Sequence, residues 1–187
     1  MKPSRLTLVS IVLTPFLAAI TIVPSLAQQT SPNQPSNPIA VQHEAMQKLS
    51  FLTGHWSGPA TIQRGPGEPL HVTQTEDVQY KLDGLVLLIE GKSTNAEGNV
   101  VFSALATIDY DDASHSYHFR AYNDGHYLDT ELSVPDHGFS WSFSPGSAHI
   151  VNNMQLTEKG EWHETTEVTF GSNPPHRSVD MLLQHQP

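Results

Sequence analysis

The chain has 187 residues, no cysteine and a formal charge of −10. That length suits one ordinary core plus a short appendage. The missing cysteine excludes disulfides, thiolate metal sites, a cysteine nucleophile and a lipidated N-terminal cysteine, and the acidity disfavours nucleic acid and anionic membrane surfaces as partners.

Residues 1–27 read as an export signal. Lys2 and Arg5 give a positive start, Leu6 to Val23 supply an apolar stretch, and Ser25-Leu26-Ala27 places small residues where a signal peptidase cuts. Thr7, Ser10, Thr14, Pro15 and Thr21 dilute the apolar run, which favours a cleaved leader over an uncleaved anchor. Cleavage before Gln28 leaves seven basic against nineteen acidic residues, a charge of −12, on a periplasmic or secreted protein with no stable membrane insertion. Residues 28–40 are rich in Gln, Ser, Asn and Pro and read as a flexible linker. The folded domain is expected over 41–187. Val41, Ala45, Leu49 and Leu52 then recur at helical spacing, with Glu44 early and Lys48 late as the helix dipole favours. Such a helix either closes the mouth of a barrel or packs outside it.

From His55 the period changes to two. In Phe139-Ser140-Trp141-Ser142-Phe143 every second residue is aromatic and the rest are serine, a pattern for a strand with one packed face. Phe102, Ala104, Ala106, Ile108 and Tyr110 repeat the alternation, as do Trp162, Glu164, Thr166, Val168 and Phe170. Nine turn signals separate such runs, at Gly65 to Gly67, Asp83-Gly84, Asn95 to Asn99, Asp111 to Ser114, Asn123 to Gly125, Pro135 to Gly138, Ser144 to Ser147, Glu158 to Gly160 and Gly171 to Pro175. Nine breaks define ten strands. Connections this short allow only antiparallel neighbours, and a ten-strand meander avoids two open edges by curling shut. The expected fold is all-β, a closed up-and-down antiparallel barrel with a short N-terminal helix, in preference to a sandwich.

The segment Phe51 to Gly58 resembles the Gly-x-Trp entry strand of calycin barrels, which include lipocalins, fatty-acid-binding proteins and nitrobindins. The chain is also similar, over about residues 45 to 185, to the bacterial family called domain of unknown function 1579. That similarity is carried by the Leu-x-Gly-x-Trp-x-Gly start at Leu52, the stretch Phe102 to Asp112 with its Tyr-Asp corner, the run Tyr117 to Gly125 and the closing stretch Val179 to Gln184. The resemblance implies a calycin-like barrel and no particular activity. Nitrobindin-like barrels hold haem through a histidine near the chain end, for which His176 and His185 are the candidates.

Eleven histidines raise the question of a metal, but no two lie two residues apart, and His115 and His118 would face opposite ways on one strand. A site gathered from His118, His126 and His163 stays conceivable; no metal and no cofactor is predicted. Asp109, Asp111, Asp112 and Ser114 suit a hairpin corner better than a calcium loop. Glu164 shares a face with Trp162, Val168 and Phe170, so it enters the lumen if they do, where an unpaired charge is costly. Arg120 is a candidate partner or a clamp for a ligand carboxylate, with Tyr117 and Phe119 favouring an outward and Tyr122 an inward direction. Arg120, Tyr122, Trp141, Trp162 and Glu164 are thus the expected ligand-binding residues. No nucleophile elbow, zinc helix, phosphate loop or dinucleotide fingerprint is present. The sequence favours a module binding a small apolar or amphipathic ligand in the lumen. The alternatives are a haem-based or cofactor-free barrel enzyme and a non-catalytic envelope interaction protein.

Overall fold

The computed structural model describes residues 37–187, so the expected export signal and the linker through residue 36 lie outside the described residues. Helix α1 (Pro38–Gln47) starts three residues earlier than its apolar spacing predicts. The cause is local: the Asn37 side chain accepts the Ile39 N–H at 3.2 Å and Pro38 occupies the first helical position, where its missing N–H costs nothing. A single 3₁₀ turn, Ser50–Leu52, follows. Met46, Leu49 and Leu52 are fully buried within the barrel's core.

The helix closes one mouth of the barrel. The last α1 carbonyls of Ala45 and Met46 accept the N–H groups of Lys48 and Leu49, and two barrel tyrosines give each a second donor. The Tyr80 hydroxyl donates to the Met46 carbonyl at 2.5 Å, and that of Tyr117 donates to Ala45 at 2.7 Å. The Gln42 amide also donates to Asp112 at 3.0 Å. Tyr117→Phe is expected to cost about 1 kcal/mol in urea unfolding and to speed amide exchange in α1 more than in the strands.

Ten strands follow: β1 (Gly54–Ile62), β2 (Leu70–Lys81), β3 (Val86–Thr94), β4 (Val100–Asp111), β5 (Ser116–Asn123), β6 (His126–Ser133), β7 (Gly138–Phe143), β8 (Ala148–Leu156), β9 (Trp162–Phe170) and β10 (His176–His185). Each pairs antiparallel with its predecessor, and β10 returns to β1 from Trp56↔His185 to Ile62↔Val179, closing the barrel. The nine connections fall at the expected turn signals. In the tightest, between β5 and β6, Asp124 and Gly125 both have positive φ, 48° and 77°, the combination that matches the twist of a two-residue hairpin.

The ladder is uneven. β6 and β7 share only Leu132↔Trp141 and Ser133↔Ser140, supplemented by the Thr130 hydroxyl donating to the Ser142 carbonyl at 2.9 Å. Elsewhere the pairing is long, and alternation places Val78, Ile89, Ala106, Ile108 and Phe119 inside. Trp162, 1% exposed, meets Trp56 and Phe139 edge to face with ring centres 5.7 and 6.0 Å apart. Trp141 lies flat on Phe119 at 5.3 Å.

Candidate functional site

Register explains why the barrel is not filled. Cross-strand partners share a face, and the ladder aligns Glu76, Gly91, Ala104, Asn123 and His126 in one row and Ile89, Ala106, Ala121 and Leu128 in the next. The small residues Gly91, Ala104, Ala106 and Ala121 withdraw side-chain volume from the β3 to β5 wall. Phe139, Trp141, Phe143 and Trp162 project from the other side. Between them lies a cavity of about 370 Å³, within the range of small-molecule sites. Asn123, His126 and Tyr127 on its lining belong to the β5–β6 hairpin, at the end of the barrel away from α1.

Two carboxyl groups border this mostly apolar space: Glu76 from β2 and Glu164 from β9. Glu76 is 8% exposed. Burial, reinforced by the negative charge of Glu164, raises its pKa from 4.5 to about 8, although the Gln74 amide pulls the other way by donating to Oε1 at 2.7 Å. Gln74 is itself held by the buried Ser93 hydroxyl, which donates to its Oε1. Gly91 makes room for the carboxyl, since a Cβ there would stand 2.8 Å from Glu76 Oε2. Burial also raises Glu164, against hydrogen bonds from the Asn152 amide to Oε1 and the Trp162 indole to Oε2, both 2.8 Å. The Asn152 amide reaches Thr166 as well, while its buried carbonyl oxygen, Oδ1, has no partner.

Of the expected ligand-binding residues, Trp141, Trp162 and Glu164 line the cavity. Arg120 and Tyr122 do not. Phe119 and Ala121 take the inward positions on β5, so the residues alternating with them stand outside. Arg120 pairs there with Asp109 and, at 3.3 Å, with Asp129. Tyr122 is 52% exposed and rests against Tyr127; its apolar ring serves a cross-strand pair on the outer surface, which is why it gave the wrong phase for Arg120. Arg120 and Glu164 therefore do not meet. Glu76 was missed, although Val72, Gln74, Glu76, Val78 and Tyr80 show the same in-phase polar signal that singled out Glu164.

The histidines do not converge. His118 neighbours Asp129 at 3.9 Å, His163 pairs with Asp180 at 3.0 Å, and His126 stands at the cavity. Among the described residues no three histidine, aspartate or glutamate side chains form a metal-holding group. His176 stacks on Phe170, and His185 packs edge-on against Trp56 with its Nε2 3.3 Å from the Thr53 carbonyl oxygen. Neither borders the cavity, so the residues proposed for haem do not fit that role here. Asp111 serves its own turn, where bonds from the Ser114 hydroxyl and the Ala113 N–H hold its carboxyl below the usual range.

No family model matches the sequence, so the similarity to domain of unknown function 1579 is not confirmed. No curated protein matches it either. Among solved structures the chain is similar to the crystal structure of Rv2717c from M. tuberculosis, with a TM-score of 0.58 and 13% identity over 76% of this chain and 98% of that one. At that identity the likeness establishes a shared antiparallel barrel and leaves the chemistry of the lumen to be argued from this chain's own residues.

Proposed function

We propose that this protein binds one small, largely apolar molecule inside its barrel and does so outside the cytoplasm. The observation that carries the reading is the 370 Å³ cavity, with small residues along one wall and aromatic rings along the other. A barrel that needed only to be stable would fill that space, because interiors pack to crystal-like density and each void forfeits contacts. The sequence likeness to calycin barrels fits the same use of the lumen, and the N-terminal segment with its small-residue cleavage site supports export.

Nile red, a neutral dye that brightens in apolar surroundings, tests the binding. The wild-type protein is expected to take up the dye, and Ala121→Trp, which puts an indole into the cavity, to weaken uptake about tenfold or more. The variant should unfold at nearly the same urea concentration, because it fills open space. Equal uptake by both proteins would show that the dye sits elsewhere and would count against the lumen. Native mass spectrometry of gently purified protein gives an independent check through retained mass.

A further inference from the structure

Aromatic walls are common to many ligand cavities; a pair of carboxyls inside one is not, and their surroundings restrict the occupant. Among the described residues, no lysine or arginine borders the space. The groups that touch the carboxyls are all donors already committed to them: the amides of Gln74 and Asn152 and the indole of Trp162. Glu76 Oε2 accepts no hydrogen bond from any described residue, and its side chain is more than nine-tenths buried. The wall thus offers carboxyl oxygens with free acceptor capacity and no matching cation. Trp141, Phe143 and Phe119 add ring faces, whose negative quadrupoles attract cations and stack on flat apolar bodies.

We propose, resting on the lumen-binding reading above, that the occupant is an organic ammonium ion carried on a flat apolar body, with its N–H groups directed at Glu76 and Glu164 and its rings against the aromatic wall. A ligand headed by a carboxylate is disfavoured by the same lining, since it would bring a further acid to a space that offers it no cation. Among the described residues three titratable groups face the cavity, Glu76 from β2, Glu164 from β9 and His126 from β6, while Tyr127 only borders its rim, its ring paired with Tyr122 outside. The other lining strands present apolar, amide or glycine positions. In the empty barrel Glu76 keeps its proton around neutrality; when the ammonium enters, that proton passes to solvent and the carboxylate so formed accepts a charge-assisted bond from the ligand. Apart from that O–H ionisation no covalent bond changes.

The test compares two probes of one shape, 2-naphthylmethylammonium and 2-naphthalenemethanol, by isothermal titration calorimetry on the folded protein at pH 7. The expected result is about tenfold or greater preference for the ammonium. Its binding heat should differ between two buffers of unlike ionisation enthalpy, reporting proton release, whereas the alcohol's should not. Glu76→Gln and Glu164→Gln should each shrink the preference several-fold; Asp129→Asn, on the outer face, should leave it unchanged. If the alcohol binds as tightly as the ammonium, or both lumen variants retain the full preference, the ammonium assignment is overturned while lumen binding stands. If neither probe binds and Nile red is also refused, both readings fall.

Discussion

Glu76→Gln is expected to make the protein more stable at pH 8, by about 2 to 4 kcal/mol, and to flatten its dependence of stability on pH. The sign follows from where the proton sits. Below about pH 4.5 the folded and unfolded chains both carry it, and the group does not alter the balance. Between 4.5 and about 8 the unfolded chain releases the proton while the folded one keeps it. The folded state then binds more protons than the unfolded, so stability falls as pH rises through this window and levels off above it. Glu164, raised by its own burial, adds a decline of the same sign. A neutral amide at position 76 has no proton to lose and can still accept the bond from Gln74. Urea midpoints at pH 5 and pH 8 decide the matter: the wild type should lose several kcal/mol over that interval and the variant clearly less. Parallel losses in the two proteins would mean that the carboxyl at 76 is solvated in a way the geometry denies.

The largest loss is expected from Trp162→Ala, about 3 to 5 kcal/mol. Two effects combine. The indole is almost completely enclosed and braces both Trp56 and Phe139, so its removal opens a void that β-sheet backbones cannot collapse to fill. It also deletes the N–H that serves Glu164 Oε2, leaving that oxygen short of a donor. Trp162→Phe separates the contributions, because a phenyl ring restores much of the packing and none of the hydrogen bond; it should cost about 1 to 2 kcal/mol. Near-ultraviolet circular dichroism should change strongly in both variants while the far-ultraviolet strand signal persists. A Phe variant as unstable as the Ala variant would assign the whole effect to the lost bond.

Strand alternation and turn chemistry made the barrel legible because both are local. Phe139 to Phe143 shows its inner face in five residues, and Asn123-Asp124-Gly125 can do little but turn. The closing of the mouth by α1 was one of two open options, since nothing in Val41 to Leu52 says what those residues pack on. That question is answered by Tyr80 and Tyr117, thirty and more positions downstream. Register was the main loss. Whether Glu164 has company depends on which strand lies across the lumen, and the answer, Glu76, is set by a closed ladder running right round the barrel. Arg120 failed for a related reason: Tyr122 beside it is aromatic yet outward, because a hairpin near the mouth can pair two tyrosines on its wet side as readily as two aliphatics on its dry one. The vacancy itself left only a faint trace, a scatter of Gly and Ala at inward positions that becomes a wall only when the strands are aligned.

The two-pair junction of β6 with β7 has a mechanical consequence. A cylinder laced tightly on nine seams and loosely on the tenth yields first at the tenth, since few ladder bonds must part there and neither the helical plug nor the remaining staves need move. His126, Tyr127 and Leu128 on β6 and Phe143 on β7 lie beyond the two paired positions and also border the chamber. Widening of the interior is therefore expected at the edge nearest the aromatic rings, and under the lumen-binding proposal a guest broader than the resting aperture would enter by the staves spreading sideways with the helical plug left in place.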